Sequence, residues 1–374
     1  MRVLHVVTTL EKGGAEKQLV ILSRNQAAQG HDISVVPLKG NLELDEEFSN
    51  FGAQIFDNLR NRRFLIQVRK VRKLLKQGNF DVIHLHLPRA EIVGVLASLG
   101  LRIVVISSRH NTEPFFPGSP NLVSTLLSRV ISIRQNSVIA ISRSVKTFLV
   151  SRQEISRGQS IAVVYYGYDE TISACKEPRE LSKGENLERF VTLSRLAPQK
   201  DLKTMIEALA IYREKFGFGQ LEIYGEGYLR DELVYIARDL GVAPYVIFYG
   251  CTNDVPKALQ KNQCFLLSSK YEGFGLVLLE AMQQGLPIIC SKISTIEEVM
   301  GDGYELFFET ASPQDLSGKM ELLQQPRLYR DTSQYGIQRL YQFDPRESAT
   351  KILNIYDNSL DGRSTKNLEA RDGG

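Results

Sequence analysis

Short apolar runs and helix-periodic segments alternate along almost the whole chain, and that alternation leaves few folds open. In the first half the apolar runs are Val3–Thr8, Asp32–Pro37, Ala53–Phe56, Val82–Leu87, Arg102–Ser107, Ser137–Ile141 and Ile161–Tyr165. Helical patterns begin between them near Ala15, Phe64, Glu91, Leu122 and Val145. The second half repeats the scheme with strands at Phe190–Leu193, Leu221–Tyr224, Val246–Tyr249, Cys264–Leu267, Pro287–Cys290 and Leu306–Phe308. Helices at Asp201–Lys215, Leu229–Leu240, Gly275–Gln284 and Pro313–Leu323 separate these. Strands bridged by helices pair in parallel, because a parallel neighbour is reached only by a long crossover. Two such series predict an α/β protein with two Rossmann-like domains.

The polar stretch Cys175–Glu188, with Pro178 and Gly184, reads as the linker between them. The expected division is residues 1–168, residues 169–345, and a C-terminal helix over 346–374 that can pack back on the first domain. From about Asp361 the chain is polar and ends in Gly-Gly, which predicts a frayed, flexible tail. A length of 374 residues suits two domains. At 43% hydrophobic and 24% charged residues, disordered, collagen-like and coiled-coil classes are excluded. The opening Met1–Val7 reads as a strand and not as a signal peptide, and no apolar run reaches the ~18–20 residues that span a bilayer. Cys175, Cys251, Cys264 and Cys290 have no metal or redox spacing, so free thiols in a cytoplasmic setting are expected.

Three segments carry chemistry. Lys12-Gly13-Gly14-Ala15-Glu16 joins the first strand to the first helix, where paired glycines let a ligand come close and helix amides favour an anion. It is not G-x-G-x-x-G, which disfavours a dinucleotide-dependent dehydrogenase. Ser194–Asp201 offers Arg195 and Lys200 to a diphosphate, one as a planar fork and one as a point charge. In Glu272–Met282, two carboxylates stand seven residues apart, Glu272 in a glycine-containing loop and Glu280 within the following helix. Amides at that helix start can meet phosphate, and Glu280 can accept hydrogen bonds from ribose hydroxyls. His84 and His86 share one face of a strand, but no third ligand stands nearby in sequence and no D-x-D occurs, so no metal is expected.

The Gly13-Gly14-Ala15-Glu16 turn, Arg195, Lys200 and the Glu272–Glu280 element together resemble the GT-B glycosyltransferases of the family 4 type. The resemblance reaches from the first turn to about Leu323. It implies two Rossmann-like domains facing a central cleft, and a retaining, metal-independent hexosyltransferase without cofactor that uses a nucleotide diphosphate sugar. It further implies that Arg195 and Lys200 hold the diphosphate, with amides around Phe274, Gly275 and Leu276 completing the cradle. Glu280 would bind ribose, Glu272 would contact the transferred sugar, and Gly14 would approach the donor phosphate. His110, in Ser108-Arg109-His110-Asn111-Thr112, matches the family histidine beside the reacting centre. The sequence departs from the family at Tyr166 (usually Asn), Ser194 and Asp201 (usually Gly), and Ser294-Thr295 (usually Gly-Gly). Those departures leave the donor sugar open.

The formal charge of +3 hides an asymmetry, +10 up to Tyr168 against −7 beyond it. From Asn58 to Phe80 no acidic residue occurs, while Arg62, Arg63, Arg69, Lys70, Arg72 and Lys73 interleave with apolar positions at helical spacing. Such a helix suits an anionic membrane surface, and Phe115 and Phe116 extend the candidate membrane or acceptor surface. No nucleic-acid recognition module is visible. The expected function is transfer of a sugar to a hydroxyl of a glycan or lipid-linked acceptor, such as a surface-polysaccharide precursor, at the cytoplasmic membrane face. A nucleotide-sugar 2-epimerase of the same fold, or a silent nucleotide-sugar-binding partner subunit, are the alternatives.

Overall fold

The computed structural model describes residues 1–115 and 121–372, and the described chain divides into two compact units. The first comprises Met1–Gly167 together with Asp344–Gly374, and the second Tyr168–Phe343.

The first unit runs β1 (Arg2–Val7), α1 (Gly14–Ala28), β2 (Asp32–Pro37), α2 (Asp45–Ser49), β3 (Gln54–Ile55), α3 (Phe64–Gln77) and β4 (Val82–His86). It continues with α4 (Pro88–Ser98), β5 (Val104–Arg109), α5 (Asn121–Ser132), β6 (Ser137–Ala140), α6 (Arg143–Ser151) and β7 (Ser160–Val163). The strands form one parallel sheet in the order β3-β2-β1-β4-β5-β6-β7. Val82–His86 is buried along its whole length, as a central parallel strand covered on both faces must be. One face of the sheet packs Val71 and Leu75 of α3, Ala90 and Val93 of α4, and Ile131 of α5. The other packs Leu19 and Val20 of α1 against Ile352, Leu353 and Tyr356 near the C-terminus.

The second unit runs β8 (Arg189–Leu193), α7 (Leu202–Phe216), β9 (Gln220–Tyr224), α8 (Arg230–Asp239), β10 (Val246–Gly250), α9 (Val255–Gln260) and β11 (Cys264–Leu267). Then come α10 (Leu276–Gln283), β12 (Ile288–Ser291), α11 (Ser294–Met300), β13 (Phe307–Phe308), α12 (Pro313–Leu322) and α13 (Pro326–Leu340). Its six strands are again all parallel, in the order β10-β9-β8-β11-β12-β13. Both units are Rossmann-like, the α/β class that the strand–helix alternation predicts.

The last helix, α14 (Pro345–Asp372), belongs to the first unit and lies along α1. It is helical to Asp372, with no proline in the run after Pro345. All four cysteines are free thiols, Cys264 and Cys290 in the core. Among the described residues, no helix is long and apolar enough to cross a membrane.

Candidate active site

In a doubly wound sheet, ligands bind beyond the carboxyl ends of the strands, where the strand order reverses. In the second unit that reversal lies between β8 and β11, and there the sequence-predicted donor residues gather. Lys200, from the turn after β8, forms an ion pair with Glu272, from the loop after β11. Ser269 donates to the same Glu272 oxygen at 2.6 Å. Glu272 is only 7% exposed, so these two partners carry most of what water would otherwise supply.

The loops are laced together around the pair. Ser268 Oγ donates to the carbonyls of Lys200 (2.7 Å) and Asp201 (2.9 Å). Thr295, where the family usually has glycine, donates to the Glu272 carbonyl at 3.0 Å. Asp201 takes a left-handed conformation, φ 46°, which explains why the family favours glycine there and why a short polar residue can replace it. Its carboxylate is held by Lys270 at 3.2 Å and by Thr204 at 2.9 Å. Arg195 is exposed and reaches Gln199 at 3.3 Å, while Gln199 donates to the Tyr271 carbonyl at 2.9 Å. Arg195 thus stands on the rim, with Lys200 inside.

Gly275 caps α10 with φ 86°, a conformation that a side chain resists and that turns the chain abruptly into the helix. The amides of the first turn and the positive end of the helix dipole then lie beside Glu272, a ready site for a negative group. Phe274 is buried edge-on against Phe343, 5.7 Å between centroids, so only its backbone is available to a ligand. Leu276 and Glu280 are half-buried, Glu280 one turn into the helix. A feature that sequence reasoning missed is the Gly225-Glu226-Gly227 turn after β9. A Cβ on Gly225 would stand 2.0 Å from the Ser194 carbonyl, so the turn presses backbone to backbone on the Arg195 loop. The Gly-x-Gly spacing after a strand was the available signal.

In the first unit the reversal lies between β1 and β4. Gly14, exposed, opens α1 at the end of β1. Leu87 follows β4 with φ 73°, a strained value for leucine, at the carboxyl edge of the sheet where ligands bind in such folds. His110 follows β5; Tyr166 stacks on its ring and its hydroxyl hydrogen-bonds Nδ1. Gln18 fixes the next residue by bonding both the carbonyl (2.7 Å) and amide (3.2 Å) of Gly167. Tyr166, visible in sequence only as a departure from Asn, is therefore the residue that orients His110. Burial, with the Arg109 charge adding to it, pulls the His110 pKa down to about 4, so its imidazole is neutral at pH 7.

Beneath His110 lies a cluster that overturns one expectation. His84 and His86 do have a third histidine beside them: His5, on the neighbouring strand β1, and the ligand nitrogens of the three lie within 4.8 Å of one another. The hydrogen bonds account for most of these nitrogens. Gln26 donates to Tyr356 Oη (3.3 Å) and accepts from His5 Nε2 (2.9 Å), leaving His5 Nδ1 to accept from His86 Nε2 at 3.0 Å. Tyr356 donates to His84 Nδ1 (2.6 Å), and His84 Nε2 donates to Ser108 (2.8 Å). His86 Nδ1 and His110 Nε2 have no hydrogen-bond partner among the described residues. Both histidines line one cavity of ≈ 40 Å³, room for a water or two. Burial lowers the pKa of His5 to about 4 and those of His84 and His86 well below the usual value. All three are neutral.

Phe115, expected on the surface, is instead buried (1% exposed), because the Arg109 guanidinium stacks over its ring at 4.3 Å. Arg109 in turn is held by Glu91 at 3.0 Å and Glu154 at 3.6 Å. Phe116 lies outside the described residues. Arg62, Arg63, Arg69 and Lys73 are exposed on and before α3, and Lys70 is half-buried with its ammonium on the Asn58 carbonyl at 3.0 Å. Arg72 serves the fold instead of an open surface, since it bonds the carbonyls of Ala97 (2.9 Å) and Leu99 (2.6 Å) at the end of α4. A second pocket, ≈ 210 Å³, opens beyond β4 and β5 with Leu87, Arg109, His110 and Asn111 among its walls.

Two family models match the chain. Residues 12–171 match Glycosyltransferase Family 4, and residues 175–339 match Glycosyl transferases group 1. Among curated relatives, the N-acetyl-alpha-D-glucosaminyl L-malate synthase of Bacillus anthracis is 26% identical over 312 residues, 80% of this chain and 79% of its own. The phosphatidyl-myo-inositol mannosyltransferase of Mycobacterium tuberculosis is 23% identical over 377 residues, 92% of this chain and 93% of its own. Among solved structures, Anabaena HepE in complex with UDP and glucose matches with a TM-score of 0.79 at 21% identity, over 96% of this chain and all (100%) of that one. A variant of S. aureus TarM, solved with Fondaparinux, alpha-GlcNAc-glycerol and UDP, matches with a TM-score of 0.74 at 12% identity, over 95% of this chain and 100% of that one.

Proposed function

This chain belongs to the GT-B glycosyltransferases of the family 4 type, and we propose that it transfers a sugar from a nucleotide diphosphate sugar to an acceptor hydroxyl with retention of configuration. The observation that carries the reading is the buried Glu272, held by Lys200 and Ser269 beside the start of α10 at the strand-order reversal of the second unit. Lys200, Arg195 and the amides of Phe274, Gly275 and Leu276 meet the diphosphate, and Gly14 serves the donor phosphate as well. Glu280 accepts from the ribose hydroxyls. Glu272 faces the transferred sugar, where its charge opposes the positive charge developing at the anomeric carbon. These cations and amides supply the charge that a metal would otherwise bring to the leaving group.

As the anomeric C–O bond to the diphosphate breaks, the leaving oxygen takes the electron pair and then the acceptor's proton, while the acceptor oxygen forms the new bond on the same face. His110, neutral and oriented by Tyr166, contributes a hydrogen-bonding group to this centre. The second unit binds the donor and the first the acceptor. UDP in the HepE and TarM complexes supports a uridine donor as the first to test. The phosphatidyl-myo-inositol mannosyltransferase supports a lipid-linked acceptor, as do the exposed cations of α3, which suit the anionic lipid of a cytoplasmic membrane face.

The test is a thermal-shift screen against UDP, GDP and ADP with their common sugars, followed by product analysis by NMR with the selected donor. A selective shift and a product of retained configuration are expected. Isomerisation of the donor without acceptor would reassign the site to an epimerase, and inverted product would overturn the same-face step.

A further inference from the structure

Helix α5 is built inside out. Its buried positions are Ser124, Ser128 and Ser132, each 0% exposed, with Ile131 the one buried apolar side chain among them. Its outer face carries Leu122 (80% exposed), Val123, Leu126 (61%), Leu127, Val130 and, one residue past its end, Ile133 (69%). A surface helix normally hides its apolar stripe and shows polar residues. Here the hydroxyls are spent internally: Ser128 donates to the Glu154 carbonyl at 3.0 Å and accepts from Arg109 at 2.8 Å. Ser132 meets Ser156 at 3.0 Å.

The helices on the same side of the sheet also show apolar side chains to solvent. α3, α4 and α5 cover the same side of the seven-stranded sheet, opposite α1 and α14. Leu65 and Ile66 on α3, and Leu96 and Leu99 at the end of α4, are exposed there as well. Exposed large apolar side chains in this number on one helix mark an interaction site. The charge around it says with what. Residues 58–168 contain 17 Lys and Arg against four Asp and Glu. Of those four acids, Glu91 and Glu154 are fully buried on Arg109, and Asp81 sits at the opposite, amino end of β4, bonded to the Arg2 amide at 2.7 Å. Exposed leucines in a stretch of chain with this excess of cations and scarcely an outward carboxylate fit an anionic lipid surface, in which apolar side chains enter the acyl boundary while Lys and Arg meet phosphates.

We propose that α5 is a bilayer-inserting element that seats the first unit on an anionic membrane. The proposal deepens the membrane reading given for α3 but rests on a different observation, and the two can fail separately. The same unit carries His110 and the 210 Å³ pocket at the carboxyl edge of β5, which a lipid-linked hydroxyl would have to reach.

The test compares sedimentation with phosphatidylcholine vesicles with and without phosphatidylglycerol, at low and high salt. One variant carries Leu122→Ser, Leu126→Ser and Val130→Ser; a second carries Arg62→Gln, Arg69→Gln and Lys73→Gln. Both sets are surface substitutions, and unchanged circular dichroism and thermal midpoints check the fold. The serine variant should lose at least ~100-fold in partitioning, including the salt-resistant part that apolar insertion supplies. The glutamine variant should lose only the salt-sensitive part. Because the chain has no tryptophan, Leu126→Trp gives a clean probe, whose emission should shift to the blue and be quenched by brominated lipid. Wild-type partitioning of the serine variant overturns the α5 proposal, and equal wild-type binding to both vesicle types at low salt overturns the α3 reading. A dimer that the serine substitutions dissociate, with vesicle binding unchanged, would make the face a contact between copies and also overturn it.

Discussion

Lowering the pH from 6.5 to 5 should loosen the first unit with a slope set by its buried histidines. In the unfolded chain a histidine titrates near 6.5, whereas His5 in the fold is held down to about 4 by burial. Below pH 6.5 the unfolded chain therefore binds a proton that the folded one refuses, so stability falls with pH and the loss is complete near pH 4. One pKa unit is worth about 1.4 kcal/mol, so His5 alone costs about 3 kcal/mol across that window. Against the 5–15 kcal/mol typical of a domain this is large, and His84 and His86, shifted in the same direction, add to it. Two groups work the other way: burial raises Glu91 and Glu154, against the pull of Arg109, so the fold takes up protons there. The measurement is accordingly a difference. Amide exchange of β1 and β4, corrected for the intrinsic pH dependence of exchange, gives the opening free energy of this sheet in wild type and in His5→Gln. Wild type should lose about 1 kcal/mol per pH unit more than the variant between pH 6 and 5. Parallel slopes would refute the neutral-histidine network.

Glu272→Gln should lower kcat at least about tenfold with donor affinity retained, measured in steady state once a donor is known; a near-wild-type rate would return the residue to structure. Glu280→Ala should weaken nucleotide-sugar binding roughly tenfold to a hundredfold, the worth of hydrogen bonds to a charged group, read by calorimetry. Tyr166→Phe removes the hydroxyl that fixes His110 Nδ1, so kcat should fall while donor affinity and the thermal midpoint stay put. Equal loss of stability would instead make that hydrogen bond structural.

The strands were legible because most are short apolar runs, many of them β-branched, bounded by turn residues. All thirteen appear where the pattern put them, with ends displaced by a residue or two, as at Val104–Arg109 against the expected Arg102–Ser107. Helices α2, α9 and α11 were not foreseen, because at five, six and seven residues they are too short to show a period. α13 is long, but its opening at Pro326 and polar composition gave little contrast. In the candidate site, Lys200, Gly275 and Glu272 could be singled out from spacing, since each stands in a turn or at a helix start that the local sequence marks. The third histidine could not. His5 and His86 are 81 residues apart and meet only because β1 and β4 are paired, a matter of strand order that no local pattern encodes. The same holds for Phe115, whose place inside follows from the partners of Arg109.

Those partners also explain why α5 has the face it has. Glu91 and Glu154 lie fully buried on Arg109, and a buried cluster of three charged groups is tolerated only where its remaining donors and acceptors are met. Ser128 meets one of them, and the serines one turn either side of it keep that face of α5 small and polar. At Ser128 the inner surface of the helix is thus set by the ion cluster beneath it. Among the described residues nothing dictates the outer surface, where polar side chains would satisfy the fold equally well and apolar ones gain nothing from water. Leucine and valine there make physical sense only if another apolar medium covers them. The burial of two of the region's four acids also leaves that surface more basic than the sequence count alone conveys. The charged core around Arg109 therefore accounts for the inward Ser128, while the excess of cations over acids along residues 58–168 supplies the outward charge, and the partner that fits both is apolar and anionic at once.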